Sequence, residues 1–231
     1  MLWEKHLLHQ VSERIHFYHL FQASSFTIAA AGWLFECQIH HVLRRNQNLR
    51  LFPVRSKAVE KGKWKGKAKA NGKGKVKAEY IYYDDYSASE DDKDAISLQL
   101  PASDDYGLDD ATELQVGHYY RPRNDYFPTV DSMFFIHPPG KSPILLMFQV
   151  TRNKTKHAVD VGGLERIKKL LPPDARAYYV VVTPTNVLPR IKILKSYLED
   201  QGLQVLNAKN VSKVFPVFHL PVDEEALYQT E

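Results

Sequence analysis

Ile144-Leu145-Leu146-Met147-Phe148-Gln149-Val150-Thr151 is the stretch on which the fold turns. Its run of apolar residues is too short for a membrane span and too continuous for a half-solvated strand. It reads as a strand buried on both faces, the pattern of a strand inside a parallel sheet. The same pattern returns in AYYVVVT (177–183), and between the two a short helix over 163–171 is stopped by Pro172-Pro173. Upstream, a strand over 129–136 runs into the turn Pro138-Pro139-Gly140. Strand, turn, strand, helix, strand is the order of an α/β sandwich with a mixed sheet.

Working outward, residues 1–21 carry Leu7, Val11, Ile15, Tyr18 and Leu20 at helical steps. Ser24-Ser25 supplies a capping signal, and the segment from Phe26 to Leu43 is apolar nearly all round, a buried helix ending near Arg44-Arg45-Asn46. Leu49, Leu51, Phe52 and Val54 mark a strand, and regularity returns at 113–120, before Arg121-Pro122. Toward the C-terminus the expectation is a helix around 188–199, then short strands at 204–206 and 217–221.

Residues 57–110 interrupt this order. The tract KGKWKGKAKANGKGKVK (61–77) is of low complexity, and glycine with lysine buries too little surface to order itself. YIYYDDY (80–86) and ISLQL (96–100) read as strand fragments around an acidic loop, so 57–110 is expected as a partly disordered insertion within one domain spanning 1–231. Residues 57–77 hold nine lysines against one acid, Glu60; this +8 exceeds the chain's net +4 and leaves −4 for the remainder. Basicity is therefore local, a basic arm rather than a broadly basic surface.

With 231 residues, 44% hydrophobic and 12% aromatic, the chain can bury a substantial core. No apolar run reaches the roughly 18 residues of a transmembrane helix, so no membrane partner is expected. Glu4, His6 and His9 break the N-terminal apolar pattern and argue against a signal peptide; an intracellular place follows as the expectation. The one cysteine, Cys37, can form no intramolecular disulfide, fits a reducing compartment, and is expected as a buried, inert thiol.

Three polar residues interrupt apolar elements: Glu36 in AGWLFECQIHHVL, Asp131 at the start of the strand leading to SMFFI, and Gln149 near the end of ILLMFQVT. Burying such groups is costly unless they are paired. Oxygen ligands from adjacent strand ends suit a divalent cation, which can activate water toward a phosphate. Each also has a structural alternative: Asp131 as a turn cap, Glu36 in a salt bridge, Gln149 bonded to neighbouring strands.

An acid on the first long helix followed by Asp131 and Gln149-Val150-Thr151 on paired strands resembles the PD-(D/E)xK nuclease-like superfamily. The phrases AGWLFE with IHH, YYRPRN, PTVDS, LMFQVTRNKTKH and GGL are similar to the C-terminal domain of fungal Crinkler-type effectors, related to retrotransposon hot spot proteins. The resemblance covers about Phe26 to Pro184. It implies a restriction-endonuclease-like core, a mixed sheet flanked by helices, cutting phosphodiesters of DNA rather than RNA. Asp131, Gln149 and Glu36 would be ligands of Mg²⁺ or Mn²⁺, and a nucleus, with host nuclear proteins as further partners, would be the place of action. Such effectors generally carry an N-terminal delivery header, and none is visible here.

The chain departs from the motif where Gln149 replaces the second acid and Thr151 the lysine. Lys154 is the candidate replacement, with Lys156 behind it, and His157 the candidate proton shuttle. The alternative function is an impaired, nuclease-derived module that binds nucleic acid or a host protein. For nucleic-acid contact the candidates are Lys63, Trp64, Lys65, Lys67, Lys69, Lys73, Lys75 and Lys77, the lysines on phosphates and the indole stacking on a base; a solubilising loop is the bland counterpart. His40, one turn from Glu36, reads better as a partly buried histidine than as a ligand, and His6/His9 and His16/His19 as helix surface. Gly162-Gly163 reads as an ordinary helix start. Oligomeric state is left open.

Overall fold

The structure, a computed structural model, describes residues 11–22, 27–56, 79–86, 94–108, 111–122, 129–153, 156–202, 211 and 213–229. Ser24-Ser25, the lysines and Trp64 of 61–77, Lys154, His6, His9 and the strand expected at 204–206 lie outside them.

Two helices, α1 (Val11–Gln22) and α2 (Ile28–Leu43), precede β1 (Gln47–Ser56), β2 (Tyr80–Tyr86), β3 (Ile96–Leu100), β4 (Asp105–Gly107) and β5 (Tyr119–Arg121). The centre of the chain follows as β6 (Ser132–Ile136), β7 (Ile144–Val150), β8 (Lys156–Ala158), α3 (Val161–Lys168) and β9 (Arg176–Pro184). The chain then forms β10 (Arg190–Leu194), α4 (Lys195–Asp200), β11 (Val217–Val222) and α5 (Glu224–Gln229). All eleven strands join one mixed sheet in the order β4-β5-β6-β7-β9-β11-β1-β2-β10-β8, with β3 paired to β1.

The opening octapeptide behaves as its composition dictates. β7 pairs antiparallel with β6 and parallel with β9. Its side chains alternate between two cores: Ile144, Leu146, Phe148 and Val150 join one, Leu145 and Met147 the other. The first core is closed by Phe35, Ile39 and Leu43 of α2, Tyr18 of α1, and Leu227 and Tyr228 of α5. The second is closed by Leu164 and Ile167 of α3 and Leu198 of α4. Helices on both faces of a parallel strand leave it no solvated side, which is why it can be apolar throughout. Gln149 alone breaks the alternation, on the α3 side.

The turn before β7 closes with Lys141 N–H donating to Pro138 O at 3.1 Å, and Gly140 takes φ +69°, a conformation that favours glycine. At α3 the chain is tighter than an ordinary helix start. Asp160 is the N-cap, its Oδ1 accepting from Gly163 N at 2.7 Å, so the helix begins two residues before Gly163. A Cβ on Gly163 would lie 1.7 Å from Thr129 Oγ1, so only glycine lets α3 approach the strand lead-in.

Two readings are corrected. Residues 190–194 form a strand where a helix was expected: RIKIL alternates, with Ile191 and Ile193 fully buried and Arg190, Lys192 and Leu194 facing out, and only Lys195–Asp200 is helical. Cys37 is half-buried because α2 turns that side partly toward solvent. YIYYDDY and ISLQL, expected as strand fragments, are β2 and β3 of the sheet, to which β4 also belongs, with Ile81 and Tyr83 in the core. The strand expected at 217–221 is β11, which inserts between β9 and β1 and is followed by α5.

Candidate functional site

The site lies where β6 begins and β7 ends. Asp131 N–H donates to Phe148 O at 2.9 Å, extending the β6–β7 ladder by one residue and bringing the aspartate beside Gln149 and Val150. Asp131 Oδ2 accepts two hydrogen bonds, from Val150 N at 2.5 Å and from Gln149 Nε2 at 2.8 Å. Among the described residues Oδ1 accepts none. The amide's other end is held on the α3 side: the Tyr179 hydroxyl lies 3.4 Å from Gln149 Oε1 and 3.2 Å from Thr129 O. Thr129 Oγ1 donates in turn to Asp160 O at 3.1 Å, so the site is tied to the N-cap of α3.

Electrostatics single out Asp131. Burial, then the nearby Glu36 carboxylate, push its carboxyl up to about 7, against the Val150 N–H and the more distant Arg121 guanidinium. Two acids close enough to repel, one of them withdrawn from water, form a site that would gain from a cation. Among the described residues no three His, Cys, Asp or Glu side chains gather into a ready cage. Asp131 Oδ1 and Glu36 are the oxygens a hard cation could draw on here, while the amide oxygen of Gln149 faces the Tyr179 hydroxyl.

Glu36 is not sealed in the core as an apolar helix implied; its side chain is 41% exposed. One turn on, His40 is buried, with Nε2 3.4 Å from Glu36 Oε1 and Nδ1 2.6 Å from the Tyr119 hydroxyl. Burial lowers the pKa of His40 against the pull of Glu36, which keeps the ring neutral at neutral pH. His40 thus links β5 to Glu36, rather than resting half-buried. The i, i+4 spacing was the visible signal; its partner Tyr119, 79 residues away, was not.

Thr151 is committed: its Oγ1 lies 3.1 Å from His157 Nε2 and accepts from Asn153 N at 3.1 Å. Burial lowers the pKa of His157, leaving it in the base form at neutral pH. Arg152 turns away, donating to Glu224 Oε1 at 3.1 Å and lying over the Tyr18 ring at 4.8 Å. Arg121 is the described cation whose field reaches Asp131, and it is bridged to Asp105 at 3.3 Å. Neither Arg121 nor Tyr179 was singled out from the sequence, because neither interrupts an apolar run. His16 and His19 are exposed. Among the described residues no helix is long and apolar enough to cross a membrane.

Asp131 and Gln149, read from separate segments, are in contact, and Glu36, from a third, stands near enough to act on the Asp131 carboxyl. Comparison with family models, with curated proteins and with solved structures finds no match.

Proposed function

We propose that this chain is a nuclease-like module of the PD-(D/E)xK kind, directed at the phosphodiester backbone of nucleic acid, with Glu36, Asp131 and Gln149 as the ligands of a divalent cation. The observation that carries the reading is the position of Asp131. It sits at the start of β6, locked by Val150 N–H and Gln149 Nε2 on the paired strand, with Oδ1 left over and Glu36 close enough to raise its pKa. The β6–β7–α3–β9 order, an antiparallel pair followed by a parallel strand beyond a helix, supports the same reading.

The donor set fits Mg²⁺ or Mn²⁺, since it is oxygen throughout and like charges are crowded into it. A cation held there would supply Lewis acidity toward a phosphate oxygen. The chain's own residues do the rest. Val150 N–H and Gln149 Nε2 orient Asp131, His40 orients Glu36, and neutral His157 offers a proton acceptor one hydroxyl from the strand end.

A second reading, a nuclease-derived module that binds without cutting, is favoured by Thr151. The position that should deliver a lysine holds a hydroxyl committed to His157 and Asn153. The test is cleavage of plasmid and single-stranded substrates with Mg²⁺ or Mn²⁺, beside Asp131→Ala and Glu36→Ala. Metal-dependent cutting lost in both variants upholds the first reading. A folded protein that binds DNA and never cuts it upholds the second.

A further inference from the structure

Away from this site, the sheet presents an aromatic and basic surface on the outer face of β2 and β10. The two strands are antiparallel, with Lys192 opposite Tyr82 and Leu194 opposite Tyr80. Ile81, Tyr83, Ile191 and Ile193 take the inward positions and are buried. Period-two alternation therefore sends Tyr80, Tyr82, Arg190 and Lys192 outward together, all of them half-exposed. No residue of either strand belongs to the core under α1, α2 and α5; both contribute only to the core under α3 and α4.

The four side chains interleave. Lys192 Nζ stands 4.6 Å from the centroid of the Tyr80 ring, and Arg190 Cζ lies 5.2 Å from that of Tyr82. Asp84 accepts from Arg190 Nε at 2.7 Å and fixes that guanidinium beside its ring. Lys195, at the start of α4, is occupied by Glu79 at 2.8 Å and Glu199 at 3.7 Å. Lys192 differs: among the described residues no carboxylate pairs with it. On the neighbouring β8, Lys156 holds the register position beside Arg190.

We infer that this face is a binding platform for single-stranded nucleic acid, with bases stacking on Tyr80 and Tyr82 and phosphates meeting Lys192. Three observations point to that ligand. Two tyrosines two residues apart on one strand present adjacent aromatic faces, which any base can stack on. Lys192 lies over the Tyr80 ring with no carboxylate paired to it among the described residues, a cation free to turn to a phosphate when a base takes the ring. A duplex, with its bases already stacked, has no use for the rings. The strand bearing both tyrosines begins three residues after Lys77 in the sequence, at the end of the lysine-rich tract. The proposal takes its ligand class from the reading of the carboxylate site, yet it rests on a different surface and needs no cleavage.

The experiment is fluorescence anisotropy of labelled 20-nucleotide oligo-dT and oligo-rU, and of a 20-base-pair duplex, with the full chain in EDTA. Single strands are expected to bind more tightly than the duplex. The double variant Tyr80→Ala/Tyr82→Ala should weaken binding about 30-fold, roughly fivefold per ring. Tyr80→Phe/Tyr82→Phe, which keeps the rings, should stay within about twofold of the parent by the same logic. Lys192→Gln should reduce the slope of log affinity against log salt by about 0.7. Circular dichroism and urea midpoints check that each variant is folded, and the phenylalanine and glutamine variants keep the test open if the alanine pair is not. Three results would each overturn the proposal: no single-strand binding, binding indifferent to both tyrosine pairs and to Lys192→Gln, or a preference for duplex. Because binding is read without metal, a protein that never cleaves can still bear the proposal out. One that cleaves but fails here sinks this proposal alone.

Discussion

Asp131→Asn should stabilise the protein, and by an amount that grows with pH. The Asp131 carboxyl is raised from an ordinary 3.8 to about 7, by burial first and by Glu36 second. Folded Asp131 therefore keeps its proton up to about pH 7, while in the unfolded chain it releases it near 3.8. Its contribution to stability is complete below the unfolded value and is lost as pH rises through the folded one. At about 1.36 kcal/mol per pH unit, the ionised group costs the fold at most about 4 kcal/mol above pH 7. Asparagine carries no charge, and its side-chain oxygen can accept from Val150 N–H and Gln149 Nε2 as the carboxylate does. The variant's advantage should be near zero at about pH 4, roughly 1.5 kcal/mol at pH 5, and level above pH 7. Urea unfolding of both proteins at five pH values, followed by tryptophan fluorescence, measures it. A second arm adds about 10 mM Mg²⁺ at pH 8, which should stabilise the parent and leave the variant unchanged. A difference independent of pH, or an asparagine variant less stable than the parent at pH 8, would refute the reasoning.

Three further outcomes are expected. Gly163→Ala should cost at least about 2 kcal/mol, since its Cβ would sit 1.7 Å from Thr129 Oγ1 and 2.7 Å from Thr129 Cβ; urea midpoints measure the loss, and pairing it with Thr129→Gly should recover part of it. His219 is buried, with Nδ1 lacking a partner among the described residues and burial lowering its pKa from 6.5 to about 4. The unfolded chain takes up the proton first, so stability falls as pH drops from about 6.5 to 4, by at most about 3 kcal/mol, and His219→Leu should flatten that limb of a stability–pH profile. Tyr119→Phe removes the hydroxyl 2.6 Å from His40 Nδ1 and should cost about 1–2 kcal/mol; if Glu36 needs His40 for its orientation, single-turnover cleavage should slow while substrate affinity holds.

Much was legible in the chain because it is local. The apolar run 144–151 could only be a strand covered on both sides, and β7 is one, with Gln149 its single polar interruption. Glu36, Asp131 and Gln149 stood out by the same logic, as polar groups where burial makes them costly. The helix expected at 188–199 failed for the converse reason. RIKIL is short enough to suit either period, and it was pairing with β2 that made Arg190–Leu194 a strand.

What the tertiary structure alone decided is everything that joins distant segments. Periodicity says which side of an element is buried, never which neighbour covers it. Thus β11 lies between β9 and β1, Tyr119 reaches His40, and Tyr179 meets Gln149. The Glu36 carboxylate, read as buried, stands partly open to solvent. The raised pKa of Asp131 is likewise a property of no single segment. It comes from the withdrawal of water and the approach of a second acid 95 positions earlier in the chain, two effects that exist only once the sheet has closed.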